Sequence, residues 1–211
     1  MKILVVGASK GTGALTVKAA LERGHAVTAF ARSPQNSKVE HQKLTRLQGD
    51  FHDKASVEAA VRGHDAVIIT ASASTLKGFS KDPTYFSRGT GYVIDAMRAH
   101  GLARLVVLSA LGVGDSRPLF NFFMGKLLIS FLLKAPYEDH ERQEQLVRES
   151  GLGWVIARPS RLTNGPARKQ YLKKTSIEPV PRSIARADVA DFLVEAAEVD
   201  TWLRHAVQLG G

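Results

Sequence analysis

Residues 5–13, "VVGASKGTG", carry three glycines, Gly7, Gly11 and Gly13, between an apolar run and the helical stretch "ALTVKAALERG". Glycine lets backbone approach a diphosphate closely, and the free amides at a helix start can then hold the anion. The spacing G-x-x-x-G-x-G differs from the G-x-G-x-x-G of the commoner dinucleotide dehydrogenases, and either pattern alone is weak. Its position, at a first strand-to-helix turn, is what points to a nucleotide. In NAD-selective sites an acidic residue ends the second strand and bonds the ribose hydroxyls. Here that strand ends "TAFARSP", with Arg32 at the position. A guanidinium can grip a 2′-phosphate that a carboxylate would repel. Lys10 adds a second cation, and Ser33 can donate a hydrogen bond. These residues favour NADP(H) over NAD(H) and speak against a methyltransferase, whose site also wants an acid there.

Later strand ends should complete the cleft, because ligands sit at the carboxyl ends of parallel strands. "QGDF" offers Asp50 to the adenine amino group and Phe51 to its ring. "ITASAS" offers Ala71 and Ser72, small residues where backbone must pass the cofactor, and "VLSALG" offers Ser109 near the nicotinamide.

Many short-chain dehydrogenases use Tyr-x-x-x-Lys, the lysine lowering the tyrosine pKa so that it moves a proton at neutral pH. The corresponding region reads "APYEDHERQEQ": Tyr137 has no lysine four residues on. Alcohol oxidation and sugar-nucleotide epimerisation by that route lose their support. A planar, electron-poor acceptor needs less, since hydride passes directly and the protein supplies alignment. His140 is the candidate proton donor, with Tyr137 second, and Ser109 could orient the nicotinamide amide. The alternative roles are a helix-face histidine that bonds cofactor or solvent, and a strand-end hydroxyl that caps backbone. Arg158, Arg161 and Arg186 either surround the substrate side or pair with Asp188, Asp191 and Glu195. The seven histidines have no metal-ligand spacing, so no metal is expected.

Behind these residues lies a regular alternation. Short segments rich in β-branched residues, 2–7, 26–31, 44–49, 65–70, 104–109, 153–158 and 205–209, read as strands. Between them 13–23, 54–62, 86–100, 138–150 and 186–198 have helical spacing, and Asp53 and Gly63 supply cap chemistry around the second. The expected fold is α/β: a three-layer, Rossmann-like, doubly wound parallel sheet. Residues 1–211 are expected to form a single NAD(P)-binding domain, with a small substrate-side portion near 159–186.

The bulk numbers agree. With 211 residues, 44% hydrophobic and 23% charged, the chain suits one sizeable domain. No cysteine is present, so disulfides and thiolate metal sites are excluded, which fits a cytoplasmic setting. The N-terminal "MKILVVG" lacks a signal peptide's long apolar core and reads as a strand. The formal charge is +9, but the basic residues are scattered, and the densest group, "ARKQYLKK" at 167–174, has no nucleic-acid motif around it. A basic surface and a polyanionic cofactor pocket account for the charge without a nucleic-acid partner. The apolar segment 118–136 is interrupted by Asn121 and Lys126. It falls short of the about 20 apolar residues of a bilayer span. It reads as a helix packed on the core or a partner subunit, or as a lid or membrane-surface helix. No integral membrane association is expected, and the assembly is a monomer or homodimer.

The chain resembles the atypical short-chain dehydrogenase/reductases, within them the biliverdin-IXβ reductase (flavin reductase)-like, NmrA-like NAD(P)H-binding group. The resemblance rests on "VVGASKGTG", "VTAFARSP", "QGDFHDKASVEAAVRGHDAVI", "VIDAMRAHGLARLVVLSA", "DHERQEQLVRESGLGWVIARPSRLTNGP" and "SIARADVADFL", the last two being the more specific. It implies an NADPH-binding Rossmann-like domain that reduces flavins, tetrapyrroles or related planar acceptors, or an NADP(H)-binding redox sensor without catalysis. By matching position, Gly7, Ser9, Lys10, Gly11, Thr12 and Gly13 would line the diphosphate. Arg32 would meet the 2′-phosphate, Asp50 and Phe51 the adenine, and Ala71 and Ser72 would follow the fourth strand. Pro159 and Ser160 would face the nicotinamide, and His140 would be a cofactor-side histidine. The group often has "GATGxxG"; here Lys10 replaces the middle glycine and Gly11 follows.

Overall fold

The computed structural model describes residues 1–71, 82–119 and 134–211. Strand and helix alternate in the order β1 (Lys2–Val6), α1 (Gly11–Glu22), β2 (Ala26–Ala31), β3 (Leu44–Gln48), α2 (Lys54–Val61), β4 (Ala66–Ile69), α3 (Tyr85–Ala99) and β5 (Arg104–Leu108). There follow α4 (Lys134–Arg148), β6 (Gly153–Pro159), three short strands β7 (Arg161–Thr163), β8 (Leu172–Lys174) and β9 (Ser183–Ala185), α5 (Arg186–Glu198) and β10 (His205–Gly210). The main sheet has eight strands in the order β3-β2-β1-β4-β5-β6-β10-β8. Every neighbouring pair is parallel except β10 with β8. β7 and β9 form a separate two-stranded parallel sheet.

The strands are apolar throughout because both faces are covered. Alternate residues of β1 enter different cores: Ile3 and Val5 pack with Val17, Leu21, Phe192 and Leu193 of α1 and α5. Leu4 and Val6 pack on the other face with Val57, Val93, Met97 and Val147 of α2, α3 and α4. Each fully buried aliphatic side chain contributes about 1.5–3 kcal/mol. This sandwich fixes the register of the central strands and so the position of every loop at their carboxyl ends.

Local chemistry sets the helix boundaries. Asp53 caps α2, its side chain accepting from the Ala55 N–H at 3.1 Å. Gly63 follows that helix in the left-handed region, φ +77°. Among the described residues α4 runs from Lys134, four residues before the periodic pattern suggests. α1 has no side-chain cap and no acidic residue in its first turn. Most of the apolar segment, 120–133, lies outside the described residues. Among the described residues, no helix is long and apolar enough to cross a membrane.

Candidate functional site

The strand order reverses between β1 and β4, where a crevice opens in sheets of this kind. At that point a cleft of about 240 Å³ lies outside the carboxyl ends of β1, β2, β3 and β4. It brings together Gly7, Ser9, Lys10, Arg32, Ser33, Asp50, Phe51 and Ala71. Close packing dictates its floor. Gly7 has φ +86°, and a Cβ there would lie 2.7 Å from the Ala71 backbone N and Cα. A Cβ on Gly13 would lie 2.2 Å from the Gly7 carbonyl oxygen and 2.6 Å from Thr70 Oγ1. Thus Gly13 and the buried Thr12 lie within the first turn of α1 and hold the turn against β4, whereas Gly11 faces outward. Ser72 lies outside the described residues.

Two cations, Lys10 and Arg32, and one carboxylate, Asp50, line this cleft. Among the described residues, neither Lys10 nor Arg32 has a carboxylate within ion-pair distance. Asp50 uses Oδ1 to accept the His52 backbone N–H at 2.9 Å, which shapes the loop after β3. Phe51 is buried and fills the space over Gly89, whose absent Cβ would lie 2.4 Å from the ring. Tyr85 and Asn36, both unforeseen from the sequence, also line the cleft. Burial pushes the Tyr85 hydroxyl pKa up; nearby Arg32 opposes this, and Asp50 and Asp82 reinforce it. Tyr85 stands edge-on to His52, ring centroids 4.4 Å apart. The sequence offered Phe51 as an aromatic at one wall, but nothing local in "DPTYFSRG" marks Tyr85 as the facing one.

The region around β5, β6 and α4 is built differently. Ser109 donates to Glu144 Oε1 at 2.7 Å. Glu144 is also gripped by Arg158, Nε to Oε1 at 2.9 Å and Nη2 to Oε2 at 2.5 Å. Arg158, only 1% exposed, pairs as well with Asp115. Asp188, Asp191 and Glu195, the acids foreseen as arginine partners here, are engaged elsewhere. Asp188 accepts the backbone N–H of Arg168 and Lys169, Asp191 meets Arg23 and Tyr171, and Glu195 meets Lys173 and Trp202. Their structural role stands; their partners differ, because contacts between distant segments leave no local pattern.

Tyr137 donates to the Leu111 carbonyl at 3.2 Å, and burial raises its pKa to about 12. It keeps its proton at neutral pH. His140 stacks on Phe86, centroids 3.8 Å apart, with Nδ1 2.8 Å from Gln143 Oε1. Gln143 Nε2 donates to Thr90 at 2.8 Å, so its Oε1 accepts, and the His140 proton is assigned to Nδ1. Burial lowers the His140 pKa, against hydrogen bonding to Gln143 and the charges of Glu144 and Asp139. Pro159 ends β6, and Ser160 is 7% exposed with its Oγ lacking a hydrogen-bond partner. These residues do not line the cleft beside β1; they sit beyond β5.

A dinucleotide suits the residues present: a glycine floor that no Cβ could share, an uncapped helix start, two cations with no ion pair among the described residues and an orphaned buried hydroxyl further along the sheet edge. Among the described residues, no group of three His, Cys, Asp or Glu could hold a metal. The fold and the cleft are those of a Rossmann-like nucleotide-binding protein. Residues 7–200 match the NAD(P)H-binding family, and the chain belongs to it. It is 31% identical to a 2-alkyl-3-oxoalkanoate reductase of Stenotrophomonas maltophilia over 82% of this chain, spanning about half, 54%, of that protein. The structure of ChuY, an anaerobillin reductase from Escherichia coli, superposes with TM-score 0.82, covering 100% of this chain and 97% of that one at 25% identity. A short-chain dehydrogenase/reductase of Veillonella parvula in complex with NADP superposes with TM-score 0.77 over 100% and 94% at 20% identity.

Proposed function

We propose that the chain is an NADPH-dependent reductase passing hydride to a planar acceptor such as a flavin or a biliverdin-type tetrapyrrole. The observation that carries this reading is the pair of cations, Lys10 and Arg32, that line the cleft with no ion pair among the described residues. A carboxylate there would select NAD(H). The kinship with a reductase of an oxoalkanoate and with an anaerobillin reductase supports the reaction class.

In this reading the amides of Ser9 through Gly13 hold the diphosphate, and Arg32, Lys10 and Ser33 hold the 2′-phosphate. Asp50, Phe51 and Tyr85 bound the adenine, while Ala71 and Ser72 flank the passage beyond β4. Pro159 and Ser160 face the nicotinamide, with the 159–186 portion on the acceptor side. When bound, NADPH supplies the hydride. Ser109, its hydrogen given to Glu144, offers a lone pair to an amide N–H. Tyr137 and His140 hold their protons on internal acceptors, so their first task is to keep α4 in register and solvent provides the acceptor's proton. A reducing cytoplasm is the setting consistent with a cysteine-free chain.

The same commitment of Ser109, Tyr137 and His140 to internal bonds favours a second reading, an NADP(H)-binding redox sensor. Mixing the protein with NADPH and FMN separates the two. The reductase reading expects the nicotinamide absorbance to fall at a rate proportional to protein. Tight NADPH binding with no consumption, across flavin and tetrapyrrole acceptors, would leave the sensor.

A further inference from the structure

Arg186 opens α5 and stands over the glycine turn. α1 and α5 both begin at the carboxyl edge of the sheet and pack side by side through Val17, Leu21, Phe192 and Leu193. A Cβ placed on Gly11 would lie 3.8 Å from Arg186 Nε, an ordinary contact distance. The guanidinium therefore stands beside the outermost glycine of the turn.

Its charge is left for something else. Asp188, two residues on, is fully buried and spends its oxygens on the Arg168 and Lys169 backbone N–H groups at 2.9–3.1 Å. Asp191 is taken by Arg23 and Tyr171. Arg186 instead donates from Nη1 to Asn164 Oδ1 at 2.8 Å. Among the described residues it has no ion pair. A neutral amide orients the fork without cancelling its charge, and one hydrogen bond leaves four of five donors uncommitted to it. Asp188, by fixing residues 168 and 169, holds the stretch that carries Asn164 down on α5.

We infer that Arg186, oriented by Asn164, grips the diphosphate of the dinucleotide from the side opposite the glycine backbone. This rests on the dinucleotide reading above and adds a division of labour to it. Arg32 reads the 2′-phosphate found only in NADP(H). Arg186 binds the diphosphate common to both dinucleotides and sets affinity without selectivity.

Two nucleotides test this by calorimetry. ADP carries a diphosphate and no 2′-phosphate; adenosine 2′-monophosphate carries the reverse. Arg186→Gln is expected to weaken ADP about tenfold, the size of one lost charge-assisted contact, and to leave adenosine 2′-monophosphate unchanged. Arg186→Lys should recover part of the loss, and Asn164→Ala should lose ADP affinity less than Arg186→Gln does. Arg32→Ala should show the opposite preference. Unchanged ADP affinity in Arg186→Gln, or parallel loss of both nucleotides, would overturn the inference while leaving dinucleotide binding intact. Wild-type protein that bound neither nucleotide would overturn the dinucleotide reading and this inference with it.

Discussion

Arg32 and Arg158 both stand at the carboxyl edge of the same sheet, one just after β2 and the other near the end of β6, and their surroundings differ sharply. Arg32 is exposed and has no carboxylate partner among the described residues. Arg158 is 1% exposed and held by Glu144 and Asp115. Around Arg32 the structure leaves donors open: the α1 amides, Lys10 and Ser33. Around Arg158 it closes them: Ser109 on Glu144, Tyr137 on Leu111, His140 on Gln143. Open charge in a cleft is what an anionic ligand needs, whereas a closed ion pair holds elements together. Among the described residues, the cations around Arg32 make no ion pair, whereas Arg158 is locked to its neighbours, and substitutions should separate the two.

The largest effect belongs to the closed half. Glu144→Ala strands Arg158 in the core and should cost about 3–5 kcal/mol of stability, read as a fall in the denaturant midpoint. A change below about 1 kcal/mol would mean that Asp115 alone satisfies Arg158. In the open half, Arg32→Ala should leave the midpoint within about 0.5 kcal/mol. It should weaken NADPH about tenfold and NADH hardly at all. Equal weakening of both would move the 2′-phosphate away from Arg32.

Acid sharpens the contrast further. His140 has a folded pKa below its ordinary 6.5, chiefly through burial. The unfolded chain therefore takes up a proton first, and stability falls as pH drops from 6.5 towards the folded value. Denaturation between pH 7.5 and 5.5 should show a shallower loss in His140→Ala than in the wild type. Identical slopes would place the titration elsewhere. Smallest of all is Tyr137→Phe. It removes one hydrogen bond, worth about 1 kcal/mol of stability. With the hydroxyl protonated up to about pH 12, it should leave the reductase rate unchanged near neutrality.

The contrast also marks what could be read from sequence. The strands beneath both arginines were legible, because apolar runs such as "AVTAFA" and "GWVIA" persist whatever lies above them. The glycine turn and Arg32 were legible because they are local. The Glu144–Arg158 pair was not, since 14 residues and a helix-to-strand turn separate the partners. Tyr85 was hidden for a similar reason: α3 delivers it to a cleft whose other residues come from β1 to β4. β7, β8 and β9, three residues each, are too short for a period to declare itself.

The antiparallel strand β8 bears on how copies of this chain can meet. It closes one margin of the sheet with only Leu172, Lys173 and Lys174, and both lysines are tied to acids of their own chain, Glu195 and Glu178. Short, lysine-bearing margins resist annealing with a neighbour's backbone. At this end the sheet is therefore poorly disposed to pair with the backbone of a second copy.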